Sequence, residues 1–213
     1  MLTYRVQVLD YGSGNLFSIA NALKNTSSDI RVNISSTYEE GMVDGLVLPG
    51  VGSFSSAQKI LSENRRSIMN DVEDGQVSIL GICLGMQLLF EKSEEGDGDG
   101  LGVFSGKVIR FQSKKNTKVP HMGWNTLEVS RHSSKLCSKI SSGEWVYFVH
   151  SYFPEPESRK IVSAWTSYAG KRFASVVESG NVFGTQFHPE KSHSTGAKLL
   201  ANYVRAMKAN SKR

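Results

Sequence analysis

Val77–Ile82 reads VSILGI, and the chain continues as CLG through Gly85. An unbroken apolar run that ends at Gly81-Ile82-Cys83-Leu84-Gly85 predicts a buried strand, a sharp turn and then a helix over Leu84–Lys92. Working outward, Gly45–Leu48 (GLVL) is a second apolar strand, ended by Pro49-Gly50-Val51-Gly52. Tyr4–Leu9 (YRVQVL) is a third, followed by the turn Asp10–Gly14, and Ile30–Ile34 is a fourth, short one. Between them, Leu16, Ile19, Ala20 and Leu23 recur at helical spacing, which predicts a helix over Asn15–Lys24. Phe54, Ala57, Ile60 and Leu61 do the same for Ser53–Glu63, with a second helix following to Glu73. Apolar strands alternating with amphipathic helices imply a largely parallel sheet with helices on both faces, an α/β fold whose sites lie at the carboxyl ends of the strands.

The second half has a different rhythm. Lys107–Phe111, Leu127–Ser130, Trp145–His150, Ile161–Ser167, Phe173–Glu178 and Asn181–Phe187 read as strands with short connections, so the sheet is expected to be mixed. Gly196–Met207 closes the chain as a helix. Glu94–Gly100 (EEGDGDG) has the composition of a calcium loop but neither its spacing nor its terminal glutamate, and reads as a flexible loop. With 213 residues and no linker or repeat, residues 1–213 are read as a single domain.

Composition removes several classes of function. The hydrophobic fraction is 39% and the charged fraction 21%, which excludes global disorder. Lys and Arg number 25 against 20 Asp and Glu, a net charge of +5, but the excess is scattered and not interleaved with aromatics. That pattern reads as a solvated surface and not as a nucleic-acid groove. No stretch approaches the roughly 18 apolar residues of a membrane span. The first ten residues lack the regions of a signal peptide. Two cysteines, Cys83 and Cys137, form no disulfide framework, and a cytoplasmic location follows. No compact spacing of Cys and His supports a metal, and no cofactor is called for.

Chemistry is concentrated at two points. Gly-x-Cys-x-Gly at a strand-to-helix junction is a nucleophile elbow with sulfur in place of a hydroxyl. It holds Cys83 at a helix start, where thiolate is favoured, and leaves the Leu84 N–H free for an oxyanion. Of the five histidines, His188 follows the strand FGTQF, and Pro189 biases it away from helix. Glu190, two residues on, falls on the same side of an extended chain and can take one imidazole N–H. Cys83, His188 and Glu190 thus supply nucleophile, base and orienter. His150, also at a strand end, is the second candidate base, while His121 and His132 read as surface or interface residues. Pro49–Gly52 is either a plain turn or a close approach of backbone to ligand.

These motifs resemble the class I, triad-type glutamine amidotransferases over nearly the whole chain: PGVG (Pro49–Gly52), GICLGMQLLFE (Gly81–Glu91) and GTQFHPEKS (Gly184–Ser192). Within that family, DYGSGNL (Asp10–Leu16), PHMGWN (Pro120–Asn125) and YFVHSYF (Tyr147–Phe153) resemble the glutaminase subunits of imidazole glycerol phosphate synthase. The resemblance implies a flavodoxin-like fold and hydrolysis of L-glutamine through a Cys83 thioester. It implies an oxyanion hole of the Val51 and Leu84 amides, with the Val51 amide turning inward when a partner binds its substrate. It places glutamine against Gly52, Gln87, Glu95, Ser151 and Tyr152. It also implies a heterodimer with a separate (β/α)₈-barrel cyclase that receives the ammonia, with Asn15, Trp124 and Lys191 at the interface or gate.

Overall fold

The computed structural model describes residues 2–12, 16–50, 52, 54–112, 118–131 and 133–211, the side chain at 97 excepted. The chain opens with β1 (Tyr4–Leu9), α1 (Leu16–Lys24), β2 (Ile30–Ser35), β3 (Gly45–Leu48), α2 (Phe54–Glu73) and β4 (Ser78–Ile82). Then come α3 (Leu84–Gln87), β5 (Phe90–Ser93), β6 (Gly96–Asp99), β7 (Phe104–Arg110), β8 (His121–Thr126) and β9 (Glu128–Val129). It ends with β10 (Trp145–His150), β11 (Tyr152–Pro156), β12 (Val162–Tyr168), β13 (Lys171–Ser179), β14 (Val182–Thr185) and α4 (His193–Asn210).

The main sheet has the order β2-β1-β3-β4-β14-β13-β12-β9. The first five strands pair in parallel, and β14, β13, β12 and β9 pair antiparallel, so the expected mixed α/β sheet is what forms. β3 and β4 are buried at every residue because both faces of the sheet are covered. Val47 and Leu80 point into one core with α1 and α4, through Leu23, Leu199 and Met207. Leu46, Leu48 and Ile79 point the other way onto α2, through Phe54, Leu61 and Ile68.

Three expectations change, and one strand is added to them. Ser53–Glu73 is not two helices: α2 runs unbroken over Phe54–Glu73, since neither Gly nor Pro interrupts it. The helix after Cys83 stops at Gln87, and Phe90–Ser93 is a strand. Gly85 lies so close to β3 that a Cβ there would stand 1.9 Å from the Leu48 carbonyl oxygen. Leu88 caps the helix, its N–H still donating to the Leu84 carbonyl, and its own carbonyl is taken by the Leu101 amide at 2.7 Å. EEGDGDG is not a loose loop: Gly96–Asp99 pairs with β5, at the edge of a four-stranded sheet ordered β11-β7-β5-β6. PHMGWN supplies a strand, β8, whose ladder with β10 forms a separate ribbon.

Candidate active site

β4 and β14 are adjacent and parallel, with Ile82 opposite Thr185. Cys83 follows the first strand and His188 the second, so topology alone brings both to one carboxyl edge. The Cys83 amide donates to the Thr185 carbonyl at 2.7 Å, which ties the two strand ends together. Cys83 has φ 47° and ψ −103°, a backbone conformation that a non-glycine residue adopts only under constraint. Its neighbours supply the constraint. A Cβ on Gly81 would meet the Gly85 carbonyl oxygen at 2.5 Å, and one on Gly85 would meet β3. The turn is therefore sharp because two backbones touch where glycine lets them.

His188 is extended (φ −95°, ψ 99°) and precedes a 3₁₀ turn over Pro189–Lys191. Its N–H donates to the Tyr147 carbonyl at 3.0 Å, and its own carbonyl accepts from Ser192 Oγ at 2.6 Å. That hydroxyl in turn accepts from the Tyr147 N–H at 3.0 Å, so β10 holds the residue at both ends. Nδ1 lies 2.8 Å from Glu190 Oε1. The carboxylate reaches it from the 3₁₀ turn, and not by simple alternation along an extended chain. Nε2 is buried without a well-formed hydrogen bond. Burial opposes charge on this ring, but hydrogen bonding to Cys83 and Glu190, with the fields of both, outweighs burial and raises His188 from 6.5 to about 10. Gly50 closes the space: a Cβ there would lie 2.8 Å from His188 Cε1 and 3.0 Å from Cys83 Cβ.

A cysteine, a histidine it is electrostatically coupled to, and a carboxylate behind that histidine make an arrangement suited to acyl transfer. The family model for glutamine amidotransferase class-I matches residues 7–207. The chain belongs to the class-I glutamine amidotransferase family. The imidazole glycerol phosphate synthase subunit HisH of Geobacillus thermodenitrificans is 47% identical over 206 residues, 93% of this chain and 94% of that protein. The proteins of the same name from Pyrococcus furiosus and Trichodesmium erythraeum are 42% and 40% identical over 94% and 93% of this chain, and 98% and 93% of theirs. Among solved structures, PurLQS from Thermotoga maritima superposes with a TM-score of 0.74 at 20% identity, covering 96% of this chain and 99% of that one. The glutaminase domain of Trypanosoma brucei CTPS gives 0.63 at 17%, covering 99% and 96%. Both share the fold of this amidotransferase.

The remaining sequence-derived positions separate clearly. Leu84 opens α3, so its N–H has no partner within the helix. Gly52 has φ 113° and lies three residues before Ser55, against which Gly96 of the β5–β6 hairpin rests. Glu95 sits at that hairpin's tip, where desolvation by its neighbours raises its carboxyl above the usual range. Gln87 is buried, and both protons of its amide are committed, to the Tyr152 carbonyl at 2.9 Å and to Gln186 Oε1 at 3.3 Å. Its carbonyl is what it has left to offer a substrate. Ser151 joins β10 to β11, where its carbonyl accepts from the Phe111 N–H at 3.0 Å. Val51, Asn15 and His132 lie outside the described residues.

Trp124 is 43% exposed and stacks flat on His193, ring centroids 5.0 Å apart. Lys191 Nζ stands 6.0 Å over the Tyr147 ring beside it. His150 is no base for this sulfur: Nδ1 faces the Tyr152 carbonyl at 2.8 Å and Nε2 faces His121 at 3.0 Å. Burial pushes His150 down to about 3 and His121 to about 4. His121, expected at the surface or an interface, is instead buried between the Phe148 and Tyr168 rings. On β8 it points opposite to Met122 and Trp124, and the inward side of a ribbon packed on the core is where it lands. Sequence reasoning passed over Gln186, whose Nε2 lies 3.5 Å from Cys83 Sγ. The available signal was a polar residue inside the apolar run Asn181–Phe187.

Proposed function

We propose that this chain is the glutaminase subunit of an imidazole glycerol phosphate synthase, a cytoplasmic enzyme that hydrolyses L-glutamine and passes ammonia to a separate (β/α)₈-barrel cyclase. The observation that carries the chemistry is the Cys83–His188–Glu190 constellation at the joined ends of β4 and β14. The name of the HisH relatives carries the choice of partner.

In this mechanism His188, proton-bearing at neutral pH, stands as a cation beside the sulfur and favours its ionised form. The sulfur attacks the side-chain amide carbon of glutamine. The carbonyl oxygen takes up negative charge, which the Leu84 and Val51 amides stabilise. As the C–N bond breaks, His188 gives its proton to the leaving nitrogen, which departs as ammonia and leaves a thioester. His188, now neutral, takes a proton from water; the hydroxyl attacks the thioester carbon and the thiolate leaves, releasing glutamate. Glu190 keeps the ring oriented and offsets its charge. Gly52, Gln87, Glu95, Ser151 and Tyr152 hold the amino-acid end at a distance that excludes the shorter asparagine.

The cyclase docks on the outer face of the β8–β10 ribbon. Cross-strand neighbours share a face, so Met122, Trp124, Trp145 and Tyr147 are displayed together. Met122 and Trp145 are 63% and 58% exposed, a large apolar display for one ribbon. Lys191 adds a cation at its edge, and Asn15 belongs to the same contact by resemblance. No described helix is long and apolar enough to cross a membrane.

The test is a glutaminase assay with and without a barrel cyclase and its ribonucleotide substrate. Turnover that rises on adding both supports the reading. Turnover indifferent to the cyclase assigns the chain to another synthase. Cys83→Ala abolishes glutamine-dependent synthesis and spares synthesis from added ammonia; loss of both contradicts the division of labour.

A further inference from the structure

Cys83 Sγ lies between an acceptor and a donor. The Val149 carbonyl stands 3.8 Å away, positioned for the thiol proton, and Gln186 Nε2 stands 3.5 Å away, positioned for the sulfur lone pairs. Gln186 is fully buried. An amide side chain can present either its NH₂ or its oxygen to a neighbour, and the two have opposite effects on a developing thiolate. Here the choice is forced from outside. The Tyr152 carbonyl is an acceptor only, so the Gln87 group facing it at 2.9 Å is the NH₂. The second proton of that NH₂ meets Gln186 Oε1 at 3.3 Å. With its oxygen so engaged, Gln186 turns its own NH₂ to the sulfur.

The same Tyr152 carbonyl takes a second hydrogen bond from the other side, from His150 Nδ1 at 2.8 Å. That bond fixes the His150 tautomer, so His150 Nε2 accepts from His121 Nδ1 at 3.0 Å, and His121 Nε2 accepts from Asn125 Nδ2 at 3.3 Å. Donors point towards the carbonyl along the histidine arm, and from Gln87 through Gln186 towards the sulfur along the other.

We propose that Gln186 is a further catalytic residue, a buried N–H donor to the Cys83 thiolate, whose orientation is set through Gln87 by the Tyr152 carbonyl. Gln87 then acts on the sulfur as a positioning residue. A donor to a charged acceptor lowers the free energy of the ionised form more than that of the neutral one. The other titratable groups around this sulfur are His188, with Glu190 behind it, and His150; none of them changes in the variant below.

The inference rests on Cys83 being the nucleophile, and alkylation separates the two claims. The rate of iodoacetamide labelling at Cys83 is measured against pH in the full chain, with Cys137 as internal reference. Gln186→Met keeps the bulk and removes the donor. We expect its profile to move up by about one pH unit, with labelling on the rising limb of the profile about tenfold slower. A folded Gln186→Met with an unchanged profile overturns the role of Gln186. Wild-type Cys83 labelled no faster than Cys137 overturns the nucleophile itself. If Gln186→Met does not fold, the wild-type chain still decides: the side-chain amide resonances of Gln186 should titrate with the alkylation midpoint and lose that step in Cys83→Ser. Resonances that do not follow the sulfur overturn the inference.

Discussion

The amide of Cys83 and the carbonyl of Thr185 meet at 2.7 Å, one residue beyond the last paired position of β4 and at the last residue of β14. This bond carries the strand that leads into Cys83 and the strand that leads towards His188 as one body. The precision of the site therefore depends on backbone contacts around the turn and not on the side chains of the triad alone.

Two glycine substitutions separate those contacts. A Cβ on Gly85 would stand 1.9 Å from the Leu48 carbonyl oxygen, and backbone must move to admit it. Gly85→Ala should cost about 3 kcal/mol or more of stability. A Cβ on Gly50 would meet a ring atom of His188 at 2.8 Å and the Cys83 Cβ at 3.0 Å, besides the Ile82 carbonyl oxygen at 2.9 Å. Gly50→Ala should lose on the order of 10²-fold in glutamine turnover through misplacement of the pair, with the smaller loss of stability. Urea midpoints and turnover of both variants check the ranking; equal destabilisation with turnover retained in Gly50→Ala would count against it.

Glu190→Gln should reveal how His188 is charged. The carboxylate is one of the groups that raise His188 to about 10, against a burial effect that lowers it. Because the folded value lies above the unfolded one, this group's stabilisation is complete below about pH 6.5 and is lost as pH rises through about 10. The wild type should therefore lose stability between pH 7 and 10 more steeply than Glu190→Gln. Turnover in the variant should fall at least tenfold, on the order expected for a disturbed acid–base pair. Urea midpoints at pH 7, 8.5 and 10 measure the slopes, and parallel slopes would refute the assignment.

Much of this site could be read from residue order because it depends on local rules. Gly-x-Cys-x-Gly after an apolar strand has one economical geometry, and His188-Pro189-Glu190 places a carboxylate near a ring whether the chain is extended or turns. The helix after Cys83 was overestimated because Leu84, Leu88 and Leu89 satisfy a helical period and a buried turn equally well. Beyond the helix the Leu88 carbonyl is taken by the Leu101 amide, from further along the chain. Gln186 goes unread, and His150 and His121 are read as a base and as a surface or interface residue, for a similar reason: their roles arise from bonds across 103 and 29 residues. Ribbon β8–β10 shows alternation only once Gly123 is allowed within a strand, which propensity alone disfavours.

Trp124→Ala tests the docking face. The ring stacks on His193 and meets Tyr147 edge-on, so it is held rigidly while 43% of it stays exposed. A preorganised aromatic at the middle of a ribbon is the kind of residue on which association energy concentrates. The variant should bind the cyclase about 30-fold more weakly, which corresponds to about 2 kcal/mol. Calorimetric titration with the cyclase measures this, and the urea midpoint of the isolated chain should move much less. Unchanged affinity would place the contact elsewhere.

His121→Phe addresses the buried pair. Burial holds His121 down at about 4 and His150 at about 3, both below an unfolded value near 6.5. Here the folded state favours the neutral ring, so the stabilisation is present above about pH 6.5 and is lost as pH falls towards 4. Carboxylates and His188 also titrate within about pH 4.5 to 6.5, but alike in wild type and variant, so the difference between the two slopes isolates the buried pair. Each adds a slope of up to about 1.4 kcal/mol per pH unit, the value for one proton. Phenylalanine keeps the stack between Phe148 and Tyr168, removes one titrating ring, and leaves His150 Nε2 without its donor. The variant's stability should therefore fall less steeply on acidification. Urea midpoints at half-unit intervals from pH 4.5 to 6.5 give the slope directly. A variant as acid-sensitive as the wild type would mean that His121 is already charged in the folded chain, and the directed hydrogen bonds around Tyr152 would have to be redrawn.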